Sequence, residues 1–240
     1  MKWFALSKRN FMEVWRDPLS LALTIGLPAA LLLIFQAFGR FDDIYKPASL
    51  TPGIVLFGFV MLMFSLAMTL SRDRETALFA RLLTAPLRSN DFVAAYSVPY
   101  LPVAIIQALV LFAIGAILGM EINGSVGLVA VILVVTAILY IGLGMIVGSV
   151  FSYKTVPFAY MAILLLTIFG GAWMNLEAIG GAFQTVGEVF PFAHALDATR
   201  DVIVDGAGFA AIASDFYWVL VYTVAIVALA IYLFKRRMVD

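Results

Sequence analysis

The residues of this chain that could do chemistry are few and widely spaced. Polar side chains inside its apolar runs are mild: Gln36, Ser65, Thr69, Gln107, Thr136, Tyr140 and Thr167. Such groups either bond helix to helix or line a path for a solute. Gln36, Ser65, Thr69 and Gln107 are the candidates for a substrate path, with Gln107 the best placed. A proton- or sodium-coupled carrier needs a central Asp or Glu, and the middles of the apolar runs have none. His194 is the single histidine and there is no cysteine. One histidine without thiolates does not make a zinc site. Ser149 is its conceivable partner in hydrolysis, but the two fall toward opposite faces of a membrane. A structural role for His194 is therefore expected. No lysine follows a glycine, so G-x-x-x-x-G-K-[ST] is absent and the chain is not expected to hydrolyse ATP itself.

Composition explains this sparse chemistry. The chain has 240 residues, of which 64% are hydrophobic and 12% charged, with a mean hydropathy of +1.05. That is an integral membrane protein. Net charge is zero, which offers nothing to nucleic acid. The charges cluster in Ser71–Asp91, which holds Arg72, Asp73, Arg74, Glu75, Arg81, Arg88 and Asp91 between two apolar runs. Leu78, Phe79, Leu82 and Leu83 give it a short apolar face, as in an amphipathic helix. Ser71 is the expected cap of that helix and Pro86 its end.

The elements that position these residues follow from the apolar pattern. Residues 1–17 read as an interfacial helix, with Phe4, Phe11, Val14 and Trp15 on one side and Lys2, Arg9, Glu13 and Arg16 on the other. Asp17-Pro18 starts a first span over 18–38, kinked at Pro28. Further spans are expected at 52–70, 92–120, 125–150, 156–174 and 215–234. The third is bent near Pro99 and Pro102. Residues 175–214 are too polar to span and too apolar for a free loop, so they read as a re-entrant pair of short helices. That segment holds Glu188, Pro191, His194, Asp197 and Arg200. Gly115-x-x-x-Gly119 and Gly144-x-x-x-Gly148 allow close helix approach, within the chain or between copies.

The fold class is thus all-α and integral to the membrane. It has six transmembrane helices, an N-terminal interfacial helix, a coupling helix between spans two and three, and an outer helical hairpin between spans five and six. Twelve of the 15 basic residues fall on the side of the termini and the charged insert. The positive-inside rule makes that side cytoplasmic.

Taken together, these segments resemble the permease subunits of ABC-2-type transporters, in particular the drug-export branch, over essentially the whole chain. Arg16-Asp17-Pro18 before a Pro-kinked span resembles that family's start. Ser71-Arg72-Asp73-Arg74-Glu75-Thr76 followed by Arg81-Leu82-Leu83-Thr84-Ala85-Pro86-Leu87 is similar to its cytoplasmic loop, and Pro191 to Arg200 to its outer segment. Ala77 stands where the family usually has glycine, and Phe79-Ala80 where an acid is common. The resemblance implies a permease half that pairs with a second half, either a copy of this chain or a paralogue. Separate ABC ATPase subunits would carry ATP and Mg, in a prokaryotic-type cell membrane. It also implies that Arg72, Asp73, Arg74, Glu75 and Arg81 meet the ATPase, anchored by Leu78, Phe79, Leu82 and Leu83. The expected substrate is drug-like or lipid-like. A lipid-linked polysaccharide, or an ATP-independent channel or ion-coupled carrier, remains the alternative.

Overall fold

The computed structural model describes residues 2–39, 41, 43–76, 89–173 and 180–238, and the regular elements among them are helical. In chain order they are α1 (Lys2–Arg16), α2 (Pro18–Phe38), α3 (Pro47–Arg74), α4 (Ser89–Ser97), α5 (Tyr100–Ile117), α6 (Val126–Val150), α7 (Val156–Ala172), α8 (Gly181–Val189), α9 (Pro191–Val204) and α10 (Phe209–Met238). Among the described residues, five stretches are long and apolar enough to cross a membrane: α2, α3, Asp91–Ile117 across α4 and α5, α6, and α10. The expected fifth span, α7, is apolar but shorter than these.

Helix α3 is the hub. In its most apolar window 78% of residues are buried, against 17% in α2 and α10. It packs on α2, α5, α6, α7 and α9, while α6 also carries α10. Apolar residues all round a helix are what a buried position demands. Phe59 on α3, Tyr140 on α6 and Phe192 on α9 form the aromatic centre, with ring centroids 6.2 and 5.3 Å apart.

Local chemistry sets the breaks. Asp17 caps α2 by accepting from the Leu19 and Ser20 amides, and Pro18 takes the first helical position. The irregularity in α2 is a π turn over Ala22–Gly26, immediately ahead of Pro28, which has no N–H to offer the Thr24 carbonyl. The break between α4 and α5 falls at Val98-Pro99. Ser125 caps α6 through the Leu128 amide.

Several boundaries differ from expectation; α3, for one, opens at Pro47 and not at 52, with Pro52 inside its first turns. Helix α3 runs on through Arg74, so Ser71 is no N-cap; its hydroxyl donates to the Met68 carbonyl at 3.1 Å. The change from apolar to charged residues contains no Gly or Pro, and composition alone does not stop a helix. Helix α10 starts at Phe209, ahead of Asp215, because the turn is made at Gly206, whose φ of 68° suits glycine.

Candidate functional site

The charged end of α3 is a collar of paired groups. Asp73 is 6% exposed. It accepts from the Arg9 guanidinium of α1 and, at 2.8 Å, from the Tyr96 hydroxyl of α4. Burial of a carboxylate requires partners of this kind. Arg72 pairs with Glu13 of α1. Arg74 donates to the Gly148 carbonyl at 2.8 Å, at the end of α6. Glu75 accepts from the Tyr153 amide at 2.9 Å, in the turn before α7. Asn10 of α1 donates to the Ala95 carbonyl of α4 at 3.0 Å. The two arginines in the last turn of α3 also meet the negative end of its dipole.

Arg72, Asp73, Arg74 and Glu75 therefore bind the root of the charged insert to α1, α4 and the α6–α7 turn. Arg72 and Glu75 keep exposed surface, whereas Asp73 is enclosed. Leu78, Phe79, Arg81, Leu82 and Leu83 lie outside the described residues, as does the coupling helix expected there. Arg9 and Tyr96 are the partners that sequence reasoning missed. Arg9 looked like one more basic residue on a polar face, and Tyr96 like part of a span.

Beside the collar, between α1, the start of α2 and α3, lies a cavity of about 530 Å³. Glu13, Arg16, Asp17 and Arg72 surround its charged part, while Leu23, Met61, Phe64 and Met68 supply apolar wall. Ser65 and Thr69 of the expected path line it. Ser65 donates to Ser20 at 3.2 Å, and Thr69 accepts from Tyr100 at 3.2 Å. The Ser20 hydroxyl, together with backbone amides, holds the Asp17 carboxyl below the usual carboxylate range.

Gln107 and Gln36 are not brought to that cavity. Gln107 is fully buried and donates to the Val55 carbonyl at 3.1 Å, filling the notch at Gly58. It is a helix-to-helix bond, made because α5 crosses α3 at a residue without a side chain. Gln36 lies in the last turn of α2, toward the other end of the bundle. Tyr140 and Thr167 likewise bond to each other at 2.9 Å, across α6 and α7.

The glycine pairs separate by role. A Cβ on Gly144 would lie 2.9 Å from the Met63 carbonyl, and one on Gly148 would lie 2.9 Å from the Leu70 Cβ, so both seat α6 on α3. Gly115 packs against Thr51 in the same manner. Gly119 does not pack; at φ 92° it ends α5. The Gly119 amide bonds Ala116 and the Met120 amide bonds Gly115, which is the Schellman pattern.

At the opposite end, α8 and α9 form a hairpin. Pro191 opens α9. Arg200 sends Nε to the Ser49 carbonyl at 3.0 Å and Nη2 to the Gly171 carbonyl at 3.1 Å, joining the start of α3 to the end of α7. Burial lowers its pKa to about 10, against the pull of Asp197. Burial pushes the Asp197 carboxyl up to about 6; Arg200 opposes this, and Asp215 and Asp201 add to it. Asp197 keeps an open edge, yet the helices packed behind it remove much of its water. His194 bridges Asp215 and the Glu188 carbonyl, and the Glu188 carboxylate accepts from Gln184 at 2.7 Å.

A hub helix wrapped by apolar spans, with paired charge at one end and a cavity beside it, defines a polytopic helical membrane protein. The chain belongs to the ABC-2 type transporter family, whose description matches residues 1–204. It is similar to proteins named probable multidrug ABC transporter permease YbhR in Escherichia coli strain K12 and in Escherichia coli O157:H7. Each is 23% identical over 174 residues, covering 71% of this chain and 47% of the relative. The chain thus spans about half the length of the curated relatives it matches.

Proposed function

We propose that this chain is one half of the transmembrane pathway of an ATP-driven exporter. It moves a lipophilic, drug-like or lipid-like substrate away from the cytoplasm or inner leaflet. In this reading all six apolar helices cross a cell membrane, both termini are cytoplasmic, and a second permease half completes the path. ATP and Mg belong to separate ABC ATPase subunits that dock on the 71–91 insert.

The observation that carries the reading is the fastening at the root of that insert. Asp73, Arg72, Arg74 and Glu75 tie it to α1, α4 and the α6–α7 turn. A push on the insert would be delivered to several helices at once, which is what a borrowed motor requires. The cavity lined by Ser65 and Thr69 opens beside this collar and offers both charged and apolar wall to an amphiphile. The name of the similar E. coli proteins supports a drug-like substrate class.

Co-purification tests the proposal. The tagged chain should retain a soluble ATPase whose ATP hydrolysis vanadate inhibits. Replacing Arg81 and Leu82 together should release that subunit. Transport by the isolated chain in ATP-free vesicles would instead assign it to channels or ion-coupled carriers.

A further inference from the structure

His194 sits where α8, α9 and α10 meet. Its Nδ1 lies 2.6 Å from Asp215 Oδ1, and its Nε2 lies 2.8 Å from the carbonyl oxygen of Glu188. A carbonyl oxygen and an ionised carboxylate only accept hydrogen bonds, and a neutral imidazole has a single N–H to donate. Both contacts together therefore require one proton more than a neutral imidazole beside a carboxylate holds. The extra proton makes either an imidazolium facing a carboxylate or a neutral imidazole facing a carboxylic acid. The count is the same in both cases.

We propose that His194 is a proton-operated latch that holds the C-terminal end of α8 against α9 and α10. With the proton bound, α8 is fastened through Glu188 to His194 and through His194 to Asp215. When the proton leaves, the remaining N–H stays with the Asp215 carboxylate, because a ring lone pair facing that charge is the worse alternative. The lone pair of Nε2 then faces the Glu188 carbonyl, and α8 loses its tie at Glu188. Imidazole is the side chain that takes up and gives up protons near neutral pH in general, so pH is the variable that tests the latch.

The surrounding groups are accounted for. Asp197, Arg200 and Asp201 stand on α9, and Asp215 is the acid from α10. The Trp218 ring of α10 lies 5.3 Å from the imidazole. From α8, Glu188 presents its carbonyl, while its carboxylate is engaged by Gln184. Tyr222 of α10 donates to the Val189 carbonyl at 2.9 Å, a second fastening of the same end of α8. It keeps Val189 on α10, so the open latch frees the body of α8 ahead of Glu188. If this end faces the exterior, which rests on the orientation proposed above, the proton comes from outside the cell. The proton count itself is independent of that orientation.

The chain has no cysteine, which suits it to paired spin labels. Thr185→Cys on α8 and Tyr217→Cys on α10 are exposed positions whose side chains bond or stack with Gly181 and Phe209 and not with the latch residues. Their separation is measured by double electron–electron resonance on the purified chain in lipid nanodiscs at pH 5.5 and 8.5. One short-distance population is expected at pH 5.5, with part of it lost to a broader, longer one at pH 8.5. In Asp215→Asn the amide donates to Nδ1 while Nε2–H keeps Glu188, so the short distance should persist at both pH values. In His194→Ala the broad population should appear at both. Asp197→Asn should leave the wild-type transition in place. A wild-type distance that ignores pH overturns the latch. So does a transition that survives in Asp215→Asn or vanishes in Asp197→Asn. No ATPase enters the measurement, so its outcome is separate from that of the transport proposal.

Discussion

Tyr96 donates its hydroxyl to Asp73 at 2.8 Å, joining the end of the central helix to the short helix beyond the charged insert. Between the two lies the insert from Arg74 to Asp91. Whatever moves the insert must act through a root held at both sides.

Removing one member of this contact should cost stability. Tyr96→Phe deletes only the hydroxyl and should lower unfolding free energy by about 1.5–3 kcal/mol, the range for hydrogen bonds to charged groups. Asp73→Asn should do the same, and the double variant should lose less than the sum of the two. Unfolding in mixed micelles, followed by tryptophan fluorescence, gives all four values. Strict additivity would show that the two groups do not interact.

The seat of α6 on α3 predicts a gradient of tolerance. Gly144→Val places a Cβ 2.9 Å from backbone oxygen and should destabilise by about 1–3 kcal/mol. Gly26→Ala lies in α2 with no atom within 4 Å of the added Cβ and should be neutral or slightly stabilising. Gly119→Ala meets no neighbour but strains a residue at φ 92°, at a cost of about 1 kcal/mol. Thermal midpoints of the three variants should rank in that order of damage: Gly144→Val, Gly119→Ala, Gly26→Ala.

Asp197 predicts a pH dependence of definite sign. Its carboxyl is raised to about 6 in the folded chain, above its ordinary value of 3.8. Between those values the folded state holds a proton that the unfolded state has lost. Its contribution to stability therefore falls as pH rises from about 4 to about 6 and stays low above that. Asp197→Asn should raise the thermal midpoint relative to wild type at pH 8 and leave it nearly unchanged at pH 4. An equal gain at both would place the effect in packing, not in charge.

Much of the helical framework was legible because apolar length and capping chemistry are local. Asp17-Pro18 and Ser125 opened their helices where sequence placed them, and Pro99 broke the third apolar run. The end of α3 is not legible from the onset of charge, because Ser71–Arg74 holds no Gly or Pro to stop a helix. The four polar residues named for a path part company in the fold. Ser65 and Thr69 share a helix face and reach one cavity, whereas Gln107 is turned away by its crossing with Gly58, a fact of tertiary geometry. The partners of Asp73 and His194 lie far from them in sequence, with Arg9 64 positions and Asp215 21 positions away. No periodicity reports such pairs.

Arg200 sets a condition on any cycle the molecule undergoes. One rigid guanidinium plane holds the start of α3 and the end of α7 to α9. These three termini form a keystone that travels as a block or comes apart at the expense of buried carbonyls. Outside that block, bending is expected where regular hydrogen bonding is already given up, as at the π turn before Pro28 and the interruption at Pro99. The hinges and the keystone divide the bundle into parts that bend and parts that are carried.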